Sequence, residues 1–300
     1  MKALRTPDER FTALPGYDFA PHYAEVPDGE GGALRVHYLD EGSGPTVLLM
    51  HGEPSWCYLY RTMIPVLVDA GFRCVAPDLV GFGRSDKPTE QSDYTYARHV
   101  GWMTALLCDR LDLRGATFFG QDWGGLVGLR MVAENPDRFD RVVVGNTGLP
   151  TGEGRMTEAF LAWQRFAAET PDFPVGGIVS GGVASKMAPE VIAAYDAPFP
   201  DNSYKAGARI FPSLVPTSPD DPASAANQAA WEVFRRWDKP LLTAFSDGDP
   251  ITRGGEGIFQ REVPGAAGRA HVTIEGGGHF LQEDQGPELA QVIAEFVRST

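Results

Sequence analysis

Residues Ala116–Met131 read ATFFGQDWGGLVGLRM. The short run Ala116–Phe119 has strand character, and from Gly124 onward the apolar spacing becomes helical. Between them, Gly120-Gln121-Asp122-Trp123-Gly124 has the spacing of a nucleophile elbow, with Asp in the nucleophile position. A residue at the tip of so sharp a turn is strained. Its neighbours two before and two after must lack side chains so that strand and helix can close up. The plainer interpretation of the same residues is an Asp capping a helix after a strand.

Working outward, the surroundings favour the elbow. His51-Gly52-Glu53-Pro54 follows an earlier strand, where the Glu53 N–H would complete an oxyanion hole with that of Trp123. Phe245-Ser246-Asp247-Gly248-Asp249 places two carboxylates just past a later strand, and Gly276-Gly277-Gly278-His279 puts a histidine on a loop after another. The chain order nucleophile, acid, histidine is that of an α/β-hydrolase. Asp247, before Gly, also reads as a turn former, so either carboxylate remains open as the histidine partner.

The wider pattern agrees. Leu34–Leu39, Thr46–Met50, Phe72–Ala76, Ala116–Phe119 and Arg141–Val144 read as strands, with helical spacing over Tyr58–Asp69, Tyr94–Leu111 and Leu126–Glu134. Such alternation predicts an α/β fold, a mostly parallel sheet covered on both faces. From Pro150 to Asn227 the strand signal vanishes in favour of aromatics and prolines. It returns with Pro240–Ser246 and His271–Ile274, among helical stretches Thr252–Glu262 and Pro287–Arg298. The expected organisation is a core of residues 1–149 and 228–300, interrupted by a helical cap of residues 150–227 over an apolar pocket.

Composition excludes several classes. The 300 residues carry a net charge of −14, the wrong sign for tracking phosphates or anionic lipid. No apolar run reaches the ~18 residues of a membrane span, and the N-terminus lacks a signal-peptide core. Three cysteines without close spacing are expected as free buried thiols in a reducing cytoplasm. No zinc-ligand spacing and no dinucleotide fingerprint occur, so neither metal nor cofactor is expected. A monomer is expected.

An Asp nucleophile narrows the chemistry. A carboxylate is ionised at pH 7 and needs no base to attack a saturated carbon. His279 then activates a water that hydrolyses the resulting ester. Such a site predicts hydrolysis at a saturated carbon, with haloalkanes and epoxides as the natural candidates. An epoxide oxygen needs a proton, typically from cap tyrosines such as Tyr195 and Tyr204, whereas a halide needs only donors such as the Trp123 indole N–H. A catalytically inert ligand-binding protein of the same fold is the alternative outside enzymes.

The motifs HGEPSWCYLYR (from His51), APDLVGFGRSDKP (from Ala76), GQDWGG (from Gly120), YDAPFP (from Tyr195), GARIFPSLVP (from Gly207) and GGGHFLQED (from Gly276) resemble those of haloalkane dehalogenases, over nearly the whole chain. The resemblance implies an α/β-hydrolase fold with a mostly parallel eight-stranded sheet and an inserted helical cap, and hydrolytic dehalogenation to a primary alcohol, halide and a proton, with Asp122 as nucleophile, His279 as base and Asp249 as its acid partner. Where some relatives carry that acid after the preceding strand, this chain has Asn146, which cannot ionise. The resemblance also implies halide held by Trp123 and a second donor. Many members use an Asn directly after His-Gly, but Glu53 stands there, so the match is to the branch using a cap tryptophan, here Trp163. Trp163 also fits a packing stripe with Phe160 and Phe166. Family position places Leu126, Phe160, Phe211, Pro212, Val215, Ile251 and Phe280 in the pocket lining. The partners implied are a small apolar haloalkane, halide ion and water.

Overall fold

The computed structural model describes residues 1–300. Its centre is an eight-stranded sheet: β1 (His22–Pro27), β2 (Ala33–Gly42), β3 (Thr46–Met50), β4 (Arg73–Pro77), β5 (Ala116–Gly120), β6 (Phe139–Val144), β7 (Leu241–Ser246) and β8 (Val272–Ile274). The spatial order is β8-β7-β6-β5-β3-β4-β2-β1. Only the β1–β2 and β2–β4 pairings are antiparallel. The central strands are continuous apolar runs with nearly every residue buried, because helices cover both faces.

β1 is the strand that sequence patterning missed. Only Val26 along it is fully buried, so no apolar run marks it. Pairing supplies what pattern does not, with Tyr23 opposite His37 and Val26 opposite Leu34. The hairpin turn is fixed by Asp28, whose carboxylate accepts from the Glu30 and Gly32 N–H groups at 2.7 and 2.9 Å. Pro27 is tolerated because β1 is an edge strand.

Helical boundaries also shift for local reasons. Tyr58–Asp69 splits into a 3₁₀ turn and α1 (Met63–Asp69). Tyr94–Leu111 becomes α2 (Tyr96–Thr104), capped by Thr95 accepting from the Arg98 N–H, and then runs on as a π-helical turn. The elbow helix α3 (Asp122–Glu134) starts two residues earlier than its apolar spacing suggests.

Between β6 and β7 the chain forms only helices: α4 (Glu158–Glu169), α5 (Val175–Gly181), α6 (Pro189–Asp196), α7 (Ala206–Ile210) and α8 (Ser224–Phe234), with short 3₁₀ turns. The expected boundary at residue 227 falls inside α8. That helix leans on the sheet side of the molecule: Arg130 of α3 donates to the Asn227 side chain at 3.1 Å, and the Trp231 indole donates to the Leu149 carbonyl at 2.8 Å. Beyond β7 come α9 (Glu256–Glu262) and α10 (Leu281–Ser299), which kinks at Gln285 just before Pro287. One contiguous apolar core runs from the sheet into the inserted helices, joining Val47 and Phe118 to Phe173 and Tyr195.

The elbow glycines are dictated by contact. A Cβ on Gly120 would sit 2.8 Å from the Gly125 backbone, and one on Gly124 would run into the Met50 and His51 carbonyls at the end of β3. Rigid backbone faces both, so neither side can yield cheaply. Gly124→Ala is therefore expected to destabilise the fold by about 1–3 kcal/mol, read from the urea midpoint of unfolding.

Candidate active site

Four strand ends converge on one point. β3 leads to His51–Pro54, β5 to Gln121 and Asp122, β6 to Asn146 and Thr147, and β7 to the loop holding Asp249. Asp122 has φ +49°, a left-handed conformation costing about 1–3 kcal/mol for a residue with a Cβ. It is held there from both sides. Its N–H donates to the Asn146 carbonyl at 2.9 Å, and its carbonyl accepts from the Thr147 hydroxyl at 2.7 Å.

The Asp122 side chain faces the site. Oδ1 accepts from the Glu53 backbone N–H at 2.7 Å. Oδ2 lies 3.4 Å from Nε2 of His279, whose Nδ1 is 3.0 Å from Oδ2 of Asp249. Asp249 is buried, and its carboxylate also accepts from the Ile251 N–H at 2.8 Å, the Thr252 N–H at 3.3 Å and the Thr252 hydroxyl. Because 251–255 serve as this turn, α9 begins at Glu256 rather than Thr252. Asp247 is directed elsewhere, accepting from the Gly276 N–H at 2.9 Å.

Burial alone would push the Asp249 carboxyl up, but the charge and hydrogen bond of His279, with Thr252 and Ile251, bring it below the usual carboxylate range. Burial likewise disfavours the His279 cation. It is overcome by Asp249 and Asp122 together, and the imidazole is raised to about 10. Glu53 goes the other way: burial, with Asp122 nearby, pushes its carboxyl well above the usual range.

Several residues that build the site were given no site role by the sequence. The Asn146 amide donates to the Gly278 and His279 carbonyls at 2.9 and 3.1 Å, and Gln121 donates to the His279 carbonyl at 3.0 Å. Ser246 donates to the Gly278 carbonyl at 2.8 Å, and Asp284 accepts from the Gly278 N–H at 2.8 Å. The same Asp284 accepts from the Ala184 and Ser185 N–H groups of the inserted segment, at 2.9 and 2.8 Å. Gln121 is adjacent to the elbow Asp and so within reach of sequence reasoning, whereas Asp284 joins two distant loops. His51 is a loop holder. Its Nε2 accepts from the Leu79 N–H at 2.9 Å, and burial lowers its pKa, so the neutral ring donates from Nδ1 to the Gly52 carbonyl at 2.9 Å.

Above this floor lies a cavity of about 1120 Å³, bordered by Asp122, Glu53 and His279. Of the expected lining residues, Leu126, Phe160, Pro212, Val215, Ile251 and Phe280 border it. Phe211 does not. It is fully buried behind Trp123, with ring centroids 4.4 Å apart, and backs the indole instead of facing the cavity. Trp123 and Trp163 both line the cavity. Trp163 is half-buried on α4, stacked with Phe166 and tilted against Phe173, with centroids 5.8 Å apart in each pair.

No tyrosine borders the cavity. Tyr195 is buried and donates to Glu283 at 2.6 Å. Away from the cavity, His37, Cys57 and Asp78 cluster closely enough to suggest metal ligands. All three are buried, Asp78 is already satisfied by His37 and by the Cys57 and Arg84 N–H groups, and burial pushes the Cys57 thiol well up. A protonated thiol is a poor metal ligand, and the cluster reads as a brace for the 78–86 loop.

A raised His279 pKa has a definite sign. Its cation contributes stability fully below the ordinary histidine pKa, and that contribution is lost as pH rises through about 10. His279 should still be protonated at about pH 8 in the free protein, and Asp122→Asn should lower its titration midpoint by about one pH unit or more, as followed by ring-proton NMR.

Residues 45–285 match the family model of the alpha/beta hydrolase fold. The chain is 60% identical to a haloalkane dehalogenase of Psychrobacter cryohalolentis, over 99% of this chain and 98% of that protein. It is 53% identical to a haloalkane dehalogenase of Mycobacterium marinum, over 98% and 99% of the two chains. Among solved structures, a haloalkane dehalogenase from Paraglaciecola agarilytica, described as tetrameric, superposes with a TM-score of 0.90 at 39% identity and 97% coverage of both chains.

Proposed function

The chain belongs to the haloalkane dehalogenases of the α/β-hydrolase superfamily, hydrolases acting on carbon–halide bonds, and on that premise we propose how its own residues divide the work. The observation that carries the reading is the chain of contacts Glu53 N–H, Asp122, His279, Asp249 on the floor of an apolar cavity.

With Oδ1 held by the Glu53 N–H, Oδ2 of Asp122 is the oxygen free to attack. It forms a bond to the substrate carbon as the halide leaves with the bonding electron pair. The indole N–H groups of Trp123 and Trp163 receive the anion. Asp122 is now a neutral ester. One of the two negative charges holding His279 protonated has vanished, so the imidazolium releases its proton to solvent and becomes a competent base when a base is needed.

A water then yields a proton to Nε2 of His279 and bonds to Cγ of Asp122. The negative charge developing on Oδ1 is met by the Glu53 N–H, joined by that of Trp123. Collapse breaks the Cγ–Oδ2 bond. The alcohol leaves carrying an oxygen from Asp122 and the proton from His279, and the regenerated Asp122 carboxyl passes its proton to His279, which restores the starting ion pair. Asp249 orients His279 and stabilises its cation throughout.

The absence of cavity tyrosines disfavours the epoxide reading, since an alkoxide leaving group would find no phenol to protonate it. Haloalkane, halide and water are the partners. The expected monomer gains no support, because the Paraglaciecola relative is tetrameric. No helix is long and apolar enough to cross a membrane. Three buried free thiols fit a reducing cytoplasm.

His279→Gln should release one equivalent of halide and stall as an alkyl ester on Asp122, visible as added mass. A protein with no added mass and no halide burst would overturn the mechanism. Trp163→Phe removes one charge-assisted donor worth about 1.5–3 kcal/mol, so chloride product inhibition should weaken roughly tenfold or more.

A further inference from the structure

Net charge and local charge disagree at one place on this molecule. The chain as a whole carries −14, yet the rim of the cavity is positive. Apart from Asp122 and the buried Glu53, no acidic residue borders the cavity, whereas Arg155 and Arg253 both do. Both arginines are also exposed, so they stand where the cavity meets solvent. They come from different parts of the chain. Arg155 precedes α4 in the inserted segment, and Arg253 ends the turn built on Asp249. The Thr157 hydroxyl donates to the Ile251 carbonyl at 3.4 Å, which brings the two segments together at the rim.

Elsewhere arginines are held by carboxylates, as Arg61 is by Glu283 and Arg73 by Asp40. Arg155 and Arg253 have no such partner, and the Arg253 guanidinium donates only to the Asp247 carbonyl, at 2.9 Å. Glu153, Glu158 and Glu256 are close in sequence but neither border the cavity nor pair with them. Unneutralised guanidinium groups beside one opening attract an anion to it. Behind them the cavity of about 1120 Å³ exceeds the ~300–1,000 Å³ of a pocket for a drug-sized ligand, and Phe160, Trp163, Phe166 and Phe280 give it apolar walls. A haloalkane of a few carbons leaves most of that space unused. A long one lays its chain along those walls and brings its far end to the rim.

We propose that the site takes long-chain haloalkanes bearing a carboxylate at the end remote from the halogen, ω-haloalkanoates, whose head stays in solvent at the rim beside Arg155 and Arg253. The proposal rests on the dehalogenation reading and names its substrate class. Asp122 bonds to the ω-carbon as halide leaves with the bonding pair, and hydrolysis of the ester gives an ω-hydroxyalkanoate and a proton. Length decides the outcome. A short acid must carry its carboxylate into the apolar cavity, where it loses hydration and approaches the Asp122 anion, and both effects oppose binding. A long acid keeps its head hydrated and gains the attraction of two cations without that penalty. The rim therefore selects for chain length and terminal charge together.

The test measures halide release at low ionic strength from ω-bromoalkanoates, from bromopropanoate to bromododecanoate, each beside its methyl ester, which has the same chain without the charge. For the native protein the acid-to-ester ratio of kcat/KM should climb with chain length and pass unity among the longer members. Combining Arg155→Gln with Arg253→Gln should cut kcat/KM for the long acids about three- to tenfold while the esters change by less than about twofold, and added salt should shrink the native preference. If the change at Arg253 disturbs the Asp249 turn, Arg155→Glu alone should bring the ratio for the long acids below unity. The proposal fails if the native ratio stays below unity at every length, if the arginine variants slow acid and ester alike, or if they leave the long acids unaffected. Bromohexane keeps the two readings distinct. Halide released from it and from the esters, without any preference for long acids, sinks only the role of the rim, whereas no halide from any of these neutral substrates sinks the dehalogenation reading itself.

Discussion

A carboxylate held in a left-handed turn at the end of a parallel strand is the constraint around which this molecule is arranged. Asp122 cannot relax from φ +49° because β5 and α3 pack through glycines on both sides of it. The strain projects its side chain beyond the sheet edge and toward the Glu53 N–H. Remove the tight packing and the turn would open, withdrawing the carboxylate from its donor. The buried sheet behind it supplies the stability that lets so unfavourable a conformation persist.

Three carboxyl groups sit within one small volume, and their surroundings assign them different states. Asp249 is buried but receives hydrogen bonds from Ile251, Thr252 and His279, so it stays ionised. Glu53 is buried without such donors, and burial with Asp122 nearby pushes its carboxyl well above the usual range. Asp122 lies between them, with one oxygen held and the other free to react. In the proposed mechanism this division lets one imidazole serve first as the partner of two anions and then, once Asp122 is esterified, as a base. Residue type alone says nothing of it, since Asp and Glu have nearly equal intrinsic acidity.

The inserted helices are tied into this chemistry more closely than a loose lid would be. Asp284 joins the N–H of Gly278, beside His279, to the N–H groups of Ala184 and Ser185 after α5. The cavity-lining Trp163 rides on α4, while Phe211 backs Trp123 from the cap side. The His279 loop and the Trp123 indole are therefore placed by contacts that cross between the sheet and the inserted segment, whereas Trp163 packs on Phe166 and Phe173 within that segment. The apolar core shared by both makes that placement rigid.

The Gly-x-Asp-x-Gly elbow, the order of Asp122, Asp249 and His279, and the alternation of strand and helix were legible because each is local. A tight turn selects glycine, a doubly covered strand selects continuous apolar residues, and a histidine after a strand is visible in one short segment. The half-exposed strand β1 was not legible, because its pairing with β2 rather than its own composition makes it a strand. Phe211 was misplaced for a related reason: being apolar and in the cap does not say which way a ring points. The anchoring of the His279 loop by Asn146, Gln121 and Asp284, and the raised pKa of Glu53, exist only once segments far apart in the chain have been brought together. Chain order was enough to name the reactive groups at hand, a carboxylate at an elbow with an imidazole and a second acid. Their orientation and protonation came only with folding, because both depend on burial and on neighbours that chain order does not reveal.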